Sequence, residues 1–332
     1  MNETVRIFLQ DHEPIDFLFE QNRDDFIVDE IFAKPFKTKG NFLILHVKKV
    51  NMTTWEMIER IASFLNIPAS SIGYAGLKDK YATTTQYLSL PLKYERSLNK
   101  LQDKQITILE TFKDSKKISI GDLKSNRFTV TLRNVDDIKA GKIEKVARNI
   151  EKIGFPNYFG YQRFGQDSET QAQQMIEGEI FIQDKKLKKF LTSVYQSKKF
   201  NEWLKERVEI SKADAINGFK LLKGDVMMSD DDKLFTPKSP SLTDFRDKKI
   251  VLTGLLVGRE VFRARDEARE IEKKYDDELL QEKGLRRRAW VYPQDLTCKY
   301  RKKDSAMELS FVLPKASYAT VFIENIANKN FN

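Results

Sequence analysis

The sequence has little of what thiol, metal and triad chemistry require. Among 332 residues there is one cysteine, Cys298, and there are two histidines, His12 and His46. A single cysteine excludes an intrachain disulfide. With so few Cys and His, a typical zinc cluster lacks its ligands, and a Ser-His-Asp triad would have to use one of those two histidines. No apolar run approaches the ~20 residues that cross a bilayer. The polar start, 1–14, does not read as a signal peptide. The expectation is a cytoplasmic protein with no membrane and no metal, whose chemistry falls to carboxylates, lysines or aromatics.

What is present in excess is positive charge. Lys plus Arg total 58 against 49 Asp plus Glu, a net charge of +9. Such an excess favours a polyanionic partner, nucleic acid before membrane, although a lysine-rich solvated surface gives the same number. Apolar residues make up 40%, and the length allows two ordinary domains or one large one.

Periodicity organises the chain. Residues 41–50 alternate Phe42, Ile44 and His46 against Leu43, Leu45 and Val47, a strand pattern. Thr53 or Thr54 then caps a helix marked by Trp55, Ile58, Ile61, Ala62 and Leu65. Strands are expected at 87–92 and 127–134, the second with Phe128, Val130 and Leu132 on one face. A long amphipathic helix fills 185–210, a polar loop 229–249, a short strand 248–257 and a charged helix 259–283. Two strands are expected at 307–313 and 317–323. The sum is an α+β sheet domain interrupted by a mainly helical segment.

The segment most suited to chemistry is Gly73-Tyr74-Ala75-Gly76-Leu77-Lys78-Asp79-Lys80-Tyr81-Ala82-Thr83-Thr84-Thr85-Gln86. Two glycines permit tight backbone, and a short carboxylate sits between two lysines that favour its ionised form. An Asx turn on an ordinary surface loop would read the same way.

This segment closely resembles the signature of the tRNA pseudouridine synthase D family, through Gly76, Lys78, Asp79, Ala82, Thr84 and Gln86. Asp25-Phe26-Ile27-Val28-Asp29-Glu30 and Asn126-Arg127-Phe128 resemble two further motifs. Asn157-Tyr158-Phe159-Gly160-Tyr161-Gln162-Arg163-Phe164-Gly165 resembles another. Tyr195-Gln196-Ser197 with Phe200-Asn201, Gly224-Asp225-Val226, and 313–320 follow in the family's order. The likeness spans about 23–324.

The resemblance implies a pseudouridine synthase fold: a mixed, largely antiparallel central sheet with flanking helices, plus an inserted α+β family-specific domain. The expected limits are 1–158 with 284–332 for the catalytic domain and 159–283 for the insertion. The implied activity is isomerisation of a D-arm uridine of tRNA, position thirteen, with Asp79 as catalytic carboxylate and no cofactor. Phe128 would stack on the flipped base, Asn126 would hydrogen-bond the base or help position Asp79, Lys78 would touch phosphate or tune Asp79, and Glu30 would fix the loop. Gln162 and Arg163 are expected near the cleft. Family members often carry a lysine shortly before the first motif; here Glu20 and Gln21 stand there, leaving Lys78 as a substitute cation. Basic clusters at Lys185, Lys186, Lys188 and Lys189, at Lys198 and Lys199, at Arg286 to Arg288, and at Lys299, Arg301, Lys302 and Lys303 would extend the RNA footprint. A monomer is the default. A non-catalytic RNA-binding protein on the same scaffold and an acid-base hydrolase using Asp79 and Glu30 are the competing readings.

Overall fold

A computed structural model describes residues 5–165, 167–213, 218–239 and 241–331. By its internal contacts the chain divides into two compact units.

One unit comprises 17–144 and 293–316. It is built on an eight-stranded sheet in the order Gln294–Arg301, Ala306–Pro314, Leu123–Arg133, Phe26–Phe32, Thr83–Pro91, Phe42–Val50 and Ile106–Asp114, with the short Gly73–Tyr74 also paired to Thr83–Pro91. Phe26–Phe32 runs parallel to Thr83–Pro91; the other described pairings in this sheet are antiparallel. The α+β class and the mixed, largely antiparallel sheet are therefore as the sequence implied.

The period-two alternation of 42–50 turns Leu43, Leu45 and Val47 inward. The helix Thr54–Leu65 covers that stripe with Met57, Ile58, Ile61 and Leu65, which recur at helical spacing. Burying each such side chain stabilises the unit by about 1.5–3 kcal/mol. Thr53 starts the helix with a capping box: its hydroxyl accepts from the Glu56 amide, and the Glu56 carboxylate accepts from the Thr53 amide. Asn66, in the left-handed region at φ 54°, ends it.

Register gathers the signature residues. Glu30 pairs with Asn126 and Val28 with Phe128 across one ladder. Val28 also pairs with Thr84, and Thr84 with Lys49. Directly paired residues share a sheet face. With a period of two, Glu30, Asn126, Phe128, Thr84, Gln86 and Lys49 therefore belong to one face.

The second unit comprises 5–16, 145–292 and 317–331 among the described residues. The described residues of 159–283 lie within it. The segments flanking them belong there too, because Leu285–Arg288 pairs with Ile250–Leu256 and Phe155–Pro156 with Trp290–Val291. The long helix Lys185–Ala213 buries Leu191, Val194, Tyr195, Phe200, Trp203, Leu204 and Val208. Asp225 takes both guanidinium arms of the buried Arg207, at 2.7 and 2.9 Å. Gly224 is confined by the Arg265 carbonyl, 1.8 Å from where a Cβ would stand, at φ +89°.

Three local expectations are corrected. The segment 317–323 is not a strand: Ala319–Ala327 is a helix with all nine residues buried. A short continuous apolar run fits either element when both faces are covered. The charged stretch 259–283 is mostly irregular, holding only Asp266–Glu272 and a following 3₁₀ turn. The polar stretch 229–249 contains the two-residue strand Leu234–Phe235 and the helix Leu242–Arg246, which Ser241 caps by accepting from the Asp244 amide.

Candidate active site

Asp79 sits on the loop between Tyr74 and Thr83, over the face just described. Its loop is held from below by buried polar groups. The Lys78 ammonium lies 2.8 Å from the Glu30 carboxylate, with side-chain exposures of 5% and 0%. It also donates to the Asn126 side-chain carbonyl at 2.5 Å. The other Glu30 oxygen accepts from the Tyr87 amide at 3.1 Å. Thr54, first residue of its helix, accepts from the Lys78 amide at 2.9 Å and donates to the Gln86 side chain at 2.9 Å. Breaking a buried pair of this kind by removing one partner costs about 3–5 kcal/mol.

Of the two carboxylates here, only Asp79 is open to solvent. Glu30 is 4% exposed and committed to Lys78 and the Tyr87 amide, whereas Asp79 is exposed. Protein nevertheless crowds Asp79 from most directions. That desolvation pushes its carboxyl up, while the Lys49 ammonium, its own backbone amide and the Lys78 ammonium pull it back. Water reaching the open side screens all of these effects.

The structure thus brings together Asp79, Lys78, Glu30 and Asn126 among the expected residues. Phe128 lies two residues along the strand from Asn126 and is 5% exposed, stacked on Phe311 at 5.7 Å and tilted against Phe26 at 6.1 Å. Gln162 and Arg163 belong to the other unit. There Gln162 accepts from the Thr320 hydroxyl at 3.1 Å. Arg163 donates to the hydroxyls of Ser197 and Ser193, and its guanidinium lies over the rings of Phe159 and Phe190.

Sequence reasoning misses two members of the cluster. Lys49 is fully buried and donates to the carbonyls of Met52 and Asp79, each at 2.6 Å. The signal that could have found it is its place in the alternation: it continues the inward stripe Leu43, Leu45, Val47, where an apolar residue is expected. Thr54 reads from sequence only as a possible cap. Gln86 carries the family motif without an evident role; it is the side-chain partner of Thr54.

Other signature residues serve the fold. Asn201 accepts from the Phe159 amide at 2.8 Å and donates to its carbonyl at 3.0 Å, tying two motifs together. Of the cluster 286–288, Arg286 pairs with the buried Glu272 and Arg287 packs 3.9 Å over the Phe159 ring. Both are buried on the side chain, so that cluster offers RNA only Arg288. Lys185, Lys186, Lys188 and Lys189 are exposed.

A family model for tRNA pseudouridine synthase D matches residues 4–183 and 176–326. Relatives named tRNA pseudouridine synthase D from a Nitratiruptor species and from Wolinella succinogenes are 41% and 38% identical, each over 98% of both chains. A crystal structure titled putative tRNA pseudouridine synthase D from Methanosarcina mazei superposes with a TM-score of 0.73 at 21% identity, covering 98% of this chain and 97% of that one. Fold and sequence together define an isomerase, a pseudouridine synthase. More closely, the chain belongs to the tRNA pseudouridine synthase D family. Among the described residues no helix is long and apolar enough to cross a membrane.

Proposed function

We propose that the protein isomerises a D-arm uridine of tRNA, at position thirteen, with Asp79 as the catalytic carboxylate. The observation that carries this reading is the division of labour between two carboxylates: Glu30 is buried and spent on Lys78, and Asp79 is presented to solvent above it.

The reaction breaks the bond from uracil N1 to ribose C1′ and joins C5 to C1′, with the C5 hydrogen released to water. It needs no redox equivalent. An ionised carboxylate oxygen serves whether it attacks the sugar, attacks the ring or takes the C2′ proton. The uridine must leave the helical stack to reach it. Asn126, whose side-chain carbonyl accepts from Lys78, would read the base edge with its amide group. Phe128 would form the apolar wall against which the base lies, and aromatic stacking of that kind is worth ~1–3 kcal/mol per base.

RNA affinity would come from phosphate contacts of the exposed lysines at 185–189, and from Arg163 and Gln162 in the second unit, with shape selecting the tRNA elbow. The family resemblance suggests a catalytic domain of 1–158 and 284–332 carrying an insertion of 159–283, while by internal contacts 145–158, 284–292 and 317–331 group with the insertion. The protein would act as a monomer, and a tRNA substrate supports a cytoplasmic location.

The test is to incubate unmodified tRNA transcripts with the protein and map pseudouridine by carbodiimide-dependent reverse-transcription stops. The expected stop lies at the D-arm uridine of position thirteen. A stop elsewhere would move the target, and binding without any stop would leave an RNA-binding protein.

A further inference from the structure

Lys49 has no place in the reading above, and its situation is unusual. Lysine is rarely buried completely, because its ammonium loses its hydration. At the inward position of its strand, Lys49 has 0% exposure and sits beside Val47 and opposite Thr84. Its ammonium donates to two main-chain carbonyls: that of Met52, in the turn before the helix Thr54–Leu65, and that of Asp79 itself. Asn51, at φ 50°, makes that turn, and its amide bonds the Ala82 carbonyl at 3.2 Å. The cation therefore joins the start of a rigid helix to the backbone of the residue that carries the proposed chemistry. A plain fold-stabilising contact would favour an apolar side chain of similar length here.

We propose that Lys49 is a positioning residue for the isomerisation: its charged ammonium clamps the Asp79 peptide against the helix start and sets where the Asp79 carboxylate stands. This rests on the reading of Asp79 as the catalytic carboxylate. The link from peptide to carboxylate is short, since aspartate has one methylene, so a shifted backbone is a shifted carboxylate. A misplacement of about 1 Å lowers turnover about a hundredfold.

The clamp is sensitive to pH. Desolvation brings the Lys49 ammonium down to about 8, against opposing help from Asp79, with Lys78 pushing the same way as burial and Glu56 opposing it. These three are the charged groups that act on it. Above that pH the amine is neutral and its grip on two carbonyls weakens. The sign separates function from stability. An amine with a lowered folded value is held neutral by the fold while the unfolded chain still binds a proton, so this group adds stability as pH rises through that window. Turnover should fall there without a matching fall in stability from Lys49.

The experiment is single-turnover tritium release from tRNA labelled at uracil C5. It is run on wild type, Lys49→Met, Lys49→Arg and Asp79→Asn across neutral to alkaline pH, with tRNA affinity and melting measured on each. The expected result is a turnover loss of about tenfold to a hundredfold in Lys49→Met with unchanged tRNA affinity, partial recovery in Lys49→Arg, and faster amide exchange confined to 77–80. Wild type should show a limb near pH 8, and that limb should vanish in Lys49→Met. A folded Lys49→Met with wild-type turnover overturns the proposal, and so does loosening spread evenly over the sheet. If Lys49→Met does not fold, the wild-type profile and Lys49→Arg decide: absence of a limb near pH 8, or an identical limb in Lys49→Arg, overturns it. If Asp79→Asn retains full release, the reading of Asp79 fails instead.

Discussion

The Lys78 ammonium and the Glu30 carboxylate lie 2.8 Å apart with almost no solvent on either. This pair spends the acid of one signature on the base of another and leaves the neighbouring Asp79 exposed to solvent. Removing either partner strands the other as a buried charge. Glu30→Gln and Lys78→Met are each expected to lower unfolding free energy in urea by about 3–5 kcal/mol. Their combination should lose less than the sum. Additive losses would show that the pair is not a unit.

Thr54 links the helix start to the loop and to Gln86. Thr54→Val keeps the shape and removes both bonds, leaving the Lys78 amide and the Gln86 carbonyl unpaired. A stability loss of about 1–3 kcal/mol is expected, with a larger proportional fall in turnover than in tRNA affinity. Equal falls in both would assign Thr54 to RNA binding.

Asp79 itself should weigh against stability. A carboxyl raised by desolvation adds stability below its unfolded value and withdraws it as pH rises through the folded value. At neutral pH Asp79→Asn is therefore expected to melt no earlier than wild type while losing turnover. In the wild type the acid limb of turnover should lie above the ordinary aspartate value of 3.8. An earlier melt for Asp79→Asn would mean that the lysines outweigh the crowding.

The exposed lysines of the long helix can be tested through salt. Replacing Lys185, Lys186, Lys188 and Lys189 with alanine is expected to weaken tRNA binding. The slope of log affinity against log salt should become shallower by about 0.7–0.9 for each lysine that meets a phosphate. Turnover at saturating tRNA should stay unchanged. An unaltered slope would show that this helix lies off the RNA.

Much of this was legible in the residues. The alternation in 42–50 fixes that strand, with Leu43, Leu45 and Val47 in one cluster and Ile44 buried on the opposite face, and the spacing of Ile58, Ile61 and Leu65 fixes the helix, which buries one face and leaves Trp55 exposed. Ala319–Ala327 misled as a strand because every face of it is buried, which erases the period. The motifs named Asp79, Lys78, Glu30 and Asn126. They did not tell that Lys78 pairs with Glu30, since that depends on the register of Glu30 with Asn126 across two strands distant in sequence. Lys49 escaped because a lysine near a strand end reads as a solvated charge. Only its parity in the stripe says that it points inward. Arg286 and Arg287 misled in the opposite sense, looking like an RNA patch while bonding within the fold.

The most direct test of the central claim is release of tritium from uracil C5 of unmodified tRNA, counted for wild type and Asp79→Asn at matched RNA occupancy. Forming the C5–C1′ bond expels that hydrogen, so release reports the isomerisation itself. The expected result is stoichiometric release by wild type and none by Asp79→Asn, with both binding tRNA alike. Release at equal rates from both would contradict Asp79 as the catalytic carboxylate, and release from neither, with binding intact, would contradict the isomerase reading altogether.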